Sequence, residues 1–186
     1  MNRNEAEAWN QQTREYLIKM SGELEIEEDL VSQIIDQYLE IIPEASRKNM
    51  IIMGADSFSL KAGNIKLNMK CLIVAGAELL ASISVPESLF NYIQLALLAF
   101  MFAGKVAIKK LSKDCSIVVY ALDQLGAYDF YVNEERVKEK VDKICEENRR
   151  NSIADLTEAI NQLLEIRAIK MRNGQIALNE IVYGKI

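Results

Sequence analysis

Apolar positions recur at helical spacing along most of this chain, and switch to strict alternation near residue 65 and near the C-terminus. From Ile26, the set Leu30, Val31, Ile34, Ile35, Tyr38, Leu39 and Ile42 forms a one-sided stripe, the pattern of an amphipathic helix. Pro43 ends that helix and suits the first turn of another reaching about Met53, with Gly54 as its C′ residue. Residues 1–22 are polar, but Trp9, Thr13, Tyr16, Leu17 and Met20 are helically spaced, which predicts a short helix or ordered arm docked through Trp9. After a turn at Ala62-Gly63-Asn64, Ile65, Leu67 and Met69 alternate with Lys66, Asn68 and Lys70. That period predicts a short strand.

Two strongly apolar helices are expected next, over 71–84 and 89–103. Ser84-Val85-Pro86-Glu87 matches a capping box, with Pro86 early in the second helix where its missing N–H costs little. The second helix has almost no polar face, so it is either central to a core or in a membrane. Length decides: about fifteen residues rising 1.5 Å each cover roughly 22 Å, short of a hydrocarbon core of about 30 Å. Glu78, Asn91 and Gln94 would also sit at membrane depth at a cost. The expectation is a buried helical hairpin at the centre of the core. Insertion of the 71–103 hairpin into a membrane by a peripheral protein is the second alternative.

The last third has a different grammar. Ser112 caps a helix with Ile117, Val118, Ala121, Leu122 and Leu125 inward, closed by Gly126. Asn133 caps another, with Val137, Val141 and Ile144 inward. Ser152 opens a third, in which Ile153, Leu156, Ala159, Ile160, Leu163 and Leu164 keep helical spacing. Two alternating runs follow, Ala168 to Arg172 and Gln175 to Val182, joined by Asn173-Gly174. That dipeptide suits a type I′ hairpin, whose two central residues need positive φ.

Three helices and a hairpin over Leu111–Ile186 resemble a winged helix. In that resemblance the helices are Lys113–Leu125, Glu134–Asn148 and Ile153–Glu165, and the wing is 168–183. The second helix is longer than such modules need, and Arg167 stands where a glycine often relaxes the turn into the wing. The resemblance implies a scaffold used for DNA or for protein contacts, with the third helix as the reading element. The organisation expected is mainly α: an arm over 1–22, a helical domain over 23–110 and a winged-helix-like module over 111–186. The alternative is that the last two form one continuous domain.

Charge then narrows the function. The chain has 186 residues, 27 acids and 22 bases, a net charge of −5. Residues 1–62 hold twelve acids against six bases, and 131–186 balance at ten each. No segment has the cationic excess of a phosphate binder. The presumed reading helix presents Asp155, Glu158, Asn161, Gln162 and Glu165 outward with Thr157. Asn161 and Gln162 suit adenine edges, but the acids would face a phosphate wall. Nearby bases are Arg149 and Arg150 before the helix and Arg167, Lys170 and Arg172 on the wing. Acidic helix and basic wing are complementary surfaces suited to selecting a protein partner, or to self-association. Trp9 and Tyr16 on the acidic arm offer a second contact, since aromatics concentrate at the energetic centres of interfaces.

Nothing in the chain assembles a catalytic site. It contains no histidine, which removes the commonest general base, the usual metal ligand and every Ser-His or Cys-His pair. G-x-S-x-G, the Walker loop and G-x-G-x-x-G are all missing. The acids Glu23, Glu25, Glu27, Glu28 and Asp29 lack the spacing of a calcium loop, and Glu78 is a lone carboxylate. Cys71, Cys115 and Cys145 are widely spaced and expected to be buried, inert thiols. The expectation is therefore a cytoplasmic, non-catalytic adaptor, regulatory subunit or inhibitory partner, with no cofactor and no metal. Its partner is another protein or a second copy. A DNA-binding transcriptional regulator is the first alternative, and nucleic acid and membrane rank behind protein as partners.

Overall fold

The computed structural model describes residues 2–43, 64–80, 86–104, 106, 111–128 and 130–184. Helix α1 (Arg3–Glu23) starts with a reciprocal cap: Glu5 N–H donates to Asn2 Oδ1 at 2.9 Å, and Asn2 N–H to Glu5 Oε2 at 2.7 Å. Ala6, Thr13, Leu17 and Ser21 form its narrow buried face. The arm expected to be short is thus a helix of 21 residues.

Helix α2 (Glu28–Gln33) continues into a π-helical turn, Ile34–Tyr38, and then into strand β1 (Leu39–Ile41). The stripe expected to be one helix as far as Ile42 therefore stops being helical at Tyr38. Leu39 and Ile41 bury while Glu40 faces out, in register with β2 (Ile65–Asn68) through Leu39↔Leu67 and Ile41↔Ile65. Leu39 shares a face with Ile42 in a helix and with Ile41 in a strand, so it fits both periods. The available partner strand, and the bias of a residue before proline away from helix, decide for extension. The strand predicted near residue 65 is β2. The helix expected from Pro43 to Met53, its Gly54 terminus, Ala62-Gly63 and the Ser84 cap lie outside the described residues, apart from Pro43 itself.

Helices α3 (Met69–Leu80) and α4 (Pro86–Ala103) form the expected central pair. In α4, Tyr92, Ile93, Leu95, Ala96, Leu97 and Ala99 are fully buried, with helices and strands from both halves of the chain packed around them. Gly76 lets α3 come close: a Cβ there would lie 2.7 Å from Tyr92 Cδ1. Helix α3 is less enclosed than its composition suggests. It buries Leu72, Ile73, Gly76 and Leu80 but leaves Cys71, Val74, Glu78 and Leu79 exposed. Cys71 therefore corrects the expectation of three buried thiols, whereas Cys115 and Cys145 are buried. Among the described residues no helix is long and apolar enough to cross a membrane.

The C-terminal third runs α5 (Asp114–Gln124), β3 (Val132–Asn133), α6 (Glu134–Glu147), α7 (Leu156–Glu165), β4 (Ile169–Arg172), β5 (Gln175–Leu178) and β6 (Ile181–Gly184). Strands β3, β5 and β4 form one antiparallel sheet in that order. Helix α5 starts at Asp114 with Lys113, not Ser112, at its N-cap position and no side-chain cap there; Ser112 Oγ, one residue earlier, accepts from Asp114 N–H at 3.2 Å. The other expected punctuation is present: Asn133 Oδ1 accepts from Arg136 N–H at 2.9 Å, and Gly126 has φ +63. Asn173 and Gly174 have φ +50 and +72, as a type I′ turn requires.

Two boundaries differ. The third helix begins at Leu156, because Asp155 caps it by accepting from Glu158 N–H at 2.9 Å; Ser152 and Ile153 precede it. The alternating run 175–182 is two strands. Asn179 breaks it, its side-chain amide donating to Arg167 O at 2.9 Å. Strand β6 then leaves the hairpin and pairs with β2 through Leu67↔Val182 and Ile65↔Gly184, giving a second sheet ordered β1-β2-β6. The chain is mainly α with a β-hairpin in its C-terminal part, and a single apolar cluster runs from Ala6 to Val182.

Candidate functional site

The outer surface of α7 is acidic because its apolar residues are all committed inward. Ala159, Ile160 and Leu163 are buried, while Asp155, Thr157, Glu158, Asn161 and Glu165 are exposed. No lysine or arginine lies between Leu156 and Glu165. Gln162 departs from the outward set. Its Oε1 accepts from Ser112 N–H at 2.8 Å and lies 3.4 Å from Cys115 Sγ, and its Nε2 donates to Glu158 Oε1 at 2.8 Å. It fastens α7 to the start of α5, so a partner would find its amide already engaged. Beneath it, burial is the main reason that the Cys115 thiol is pushed up to about 12, with the charges of Asp114 and Glu158 adding to the effect.

The five bases do not form one patch. Arg149 ends α6 in the left-handed region at φ +51, exposed. Arg150 turns the other way: it pairs with Glu87 at 2.7 Å and lies 5.4 Å from the Phe90 ring centre. It belongs to the junction with α4. Arg167, at φ +59, and Arg172 are exposed on the hairpin. Lys170 sits over the Tyr131 ring at 5.7 Å. Sequence reasoning passed over this aromatic stretch; Phe130 is 48% exposed and, like Met171 at 42%, offers apolar surface on the C-terminal part. The run Tyr128-Asp129-Phe130-Tyr131 was the available signal.

Trp9 and Tyr16, the candidates on α1, converge on one ring. Tyr16 stacks on Phe102 at 4.3 Å between centroids and 7° between planes, and Trp9 meets the same ring edge-on at 6.3 Å. Both are half-buried, and Tyr16 titrates above its ordinary range, chiefly through burial and then through Glu23.

Glu78 lies on an open cleft of about 400 Å³ between the π-helical turn and α3, lined by Gln33, Gln37, Tyr38, Ala75, Glu78 and Leu79. The phenol of Tyr38 is raised by burial first, then by the charges of Cys71 and Glu78. Among the described residues, no three Cys, Asp or Glu side chains are grouped so as to hold a metal ion. No protein-family model matches the chain, and no curated protein or solved structure shows significant similarity to it.

Proposed function

We propose that residues 111–186 form a winged-helix module and that the protein acts without catalysis, by holding another protein on the outer face of α7. One observation carries this reading: Asp155, Glu158 and Glu165 crowd that face around Asn161 with no base among them. In a groove-reading pose each carboxylate would approach phosphates, and base contacts worth about 1–3 kcal/mol each would have to overcome that repulsion. A protein surface with complementary charge meets the same face without that repulsion. The buried thiols of Cys115 and Cys145, both raised chiefly by burial, support a structural role for sulfur rather than a nucleophilic one.

DNA binding through the hairpin is the second reading, favoured by the exposed Arg167 and Arg172 beside Lys170. Titration of the purified chain against a random-sequence duplex pool, at about 50 and 200 mM salt, tests both. The expected result is weak, sequence-independent retention. Tight attachment to a selected sequence, lost on charge reversal at Arg149, Lys170 and Arg172, would support the DNA reading instead.

A further inference from the structure

We infer that the protein held on the outer face of α7 is a second copy of this chain, paired across a two-fold axis so that α7 of each copy lies against the β4–β5 hairpin of the other. This identity for the partner rests on the reading of α7 as a protein-contact face. Charge changes sign abruptly along this part of the chain. From Asp155 to Glu165 there are three acids and no base; from Ile166 to Asn179 there are three bases, Arg167, Lys170 and Arg172, and no acid. The change falls at the turn that joins α7 to β4, and the helix packs directly against that strand. Glu158 and Glu165, two turns apart, share one side of α7 about 10 Å long, with Asp155 at its N-terminal end. Lys170 and Arg172 share one face of β4 about 7 Å apart, and Arg167, at φ +59, is exposed where the hairpin begins.

Among the described residues, none of these six side chains forms an ion pair. Their contacts are with neutral groups: Asp155 accepts from Glu158 N–H, Glu158 from the Gln162 amide, and Lys170 lies over the Tyr131 ring. Charges that meet across elements elsewhere are matched inside the chain, as Arg14 with Asp36, Lys66 with Glu40, Lys70 with Glu180 and Arg150 with Glu87. Two neighbouring surfaces of opposite sign and equal charge on one module are self-complementary. In an isologous pair the contact between two residues is made twice, with the copies exchanged, so one two-fold matches both acidic helices to both basic hairpins. A partner of a single sign would cover one surface and leave the other unmatched, and DNA could meet only the bases. Exposed ion pairs are individually weak and screened by salt, so the pair is reversible, formed at low ionic strength and dissolved as salt rises.

The test is sedimentation equilibrium of the full chain at about 100 µM, in about 50 and 500 mM salt, where the screening length falls from roughly 14 Å to 4 Å. A dimer at the lower salt and a monomer at the higher are expected. Two double variants locate the contact. Arg167→Glu with Arg172→Glu reverses the hairpin, and Glu158→Lys with Glu165→Lys reverses α7; all four positions are exposed. Each variant alone is expected to be monomeric at both salts. Their equimolar mixture is expected to regain dimer at the lower salt, because each acidic surface then finds a basic one. Both variants remain net negative, so overall charge attraction cannot produce that recovery. Melting temperatures at the higher salt, expected within about 2 °C of the native chain, show that both variants are folded. A native chain that is monomeric at 50 mM salt, a dimer that persists at 500 mM, or a mixture of folded variants that stays monomeric would overturn the inference. A monomeric chain whose position 161 still crosslinks to a protein of different mass would exclude the second copy and leave the α7 reading standing.

Discussion

Cys115 shows how one buried side chain ties stability to pH. Its thiol reaches Gln162 Oε1 at 3.4 Å and the Ala159 carbonyl at 3.7 Å, and burial holds its pKa at about 12 against an ordinary value of 9.0. The folded form therefore keeps the proton after the unfolded chain has lost it. Stability from this group is complete below pH 9 and falls as pH rises toward 12. Between about pH 8 and 9.5 the loss from this thiol is about 0.8 kcal/mol. Guanidinium melts at those two pH values are expected to show it, and Cys115→Ala to flatten the slope whatever its starting stability. An unchanged slope would mean that the thiol ionises as freely in the folded protein as in the unfolded one. Gln162 is the neighbouring lesson. Its side chain looked outward from helical spacing alone, yet the amide is drawn to Ser112 N–H, a group at the start of α5 that local sequence cannot place beside it.

Helix packing was readable where one period had no rival. The capped starts at Asn133, the turn at Gly126 and the Asn173-Gly174 hairpin are local chemistry, and the structure has each of them. The helical reading failed at Leu39 because that residue can side with Ile42 in a helix or with Ile41 in a strand; β2 made the choice from 26 residues away through Glu40↔Lys66. The split at Asn179 failed for the same reason, since its cause is the Arg167 carbonyl across the hairpin. The cleft was invisible in sequence because it needs a π-helical turn against α3. At this scale Gly76 and Gly22 form a matched pair. Alanine at Gly76 would press on Tyr92 and Leu89, whereas at Gly22 nothing lies within 4 Å. Overpacking costs about 1–3 kcal/mol and alanine returns about 1 in helix propensity. Gly76→Ala is thus expected to destabilise by up to about 2 kcal/mol and Gly22→Ala to stabilise slightly. Urea melts with constant m-values check both, and equal effects would deny the close α3–α4 approach.

Across the whole molecule, the C-terminal part is tied to the N-terminal part at several points. Strand β6 completes the β1-β2-β6 sheet, Arg150 pairs with Glu87 over Phe90, and Lys70 pairs with Glu180 while lying 5.1 Å from the Tyr128 ring centre. These ties consume some of the charge that a free module would show. Of the two bases before α7, only Arg149 remains exposed, and what α7 itself offers to solvent is acid. The proposed protein contact follows from that distribution, and a photo-crosslinker at position 161 reads it in place. With p-benzoylphenylalanine replacing Asn161 in the full chain in cells, the expected product on illumination is a protein adduct unchanged by nuclease. An adduct that nuclease degrades, marking nucleic acid against α7, would contradict the proposal.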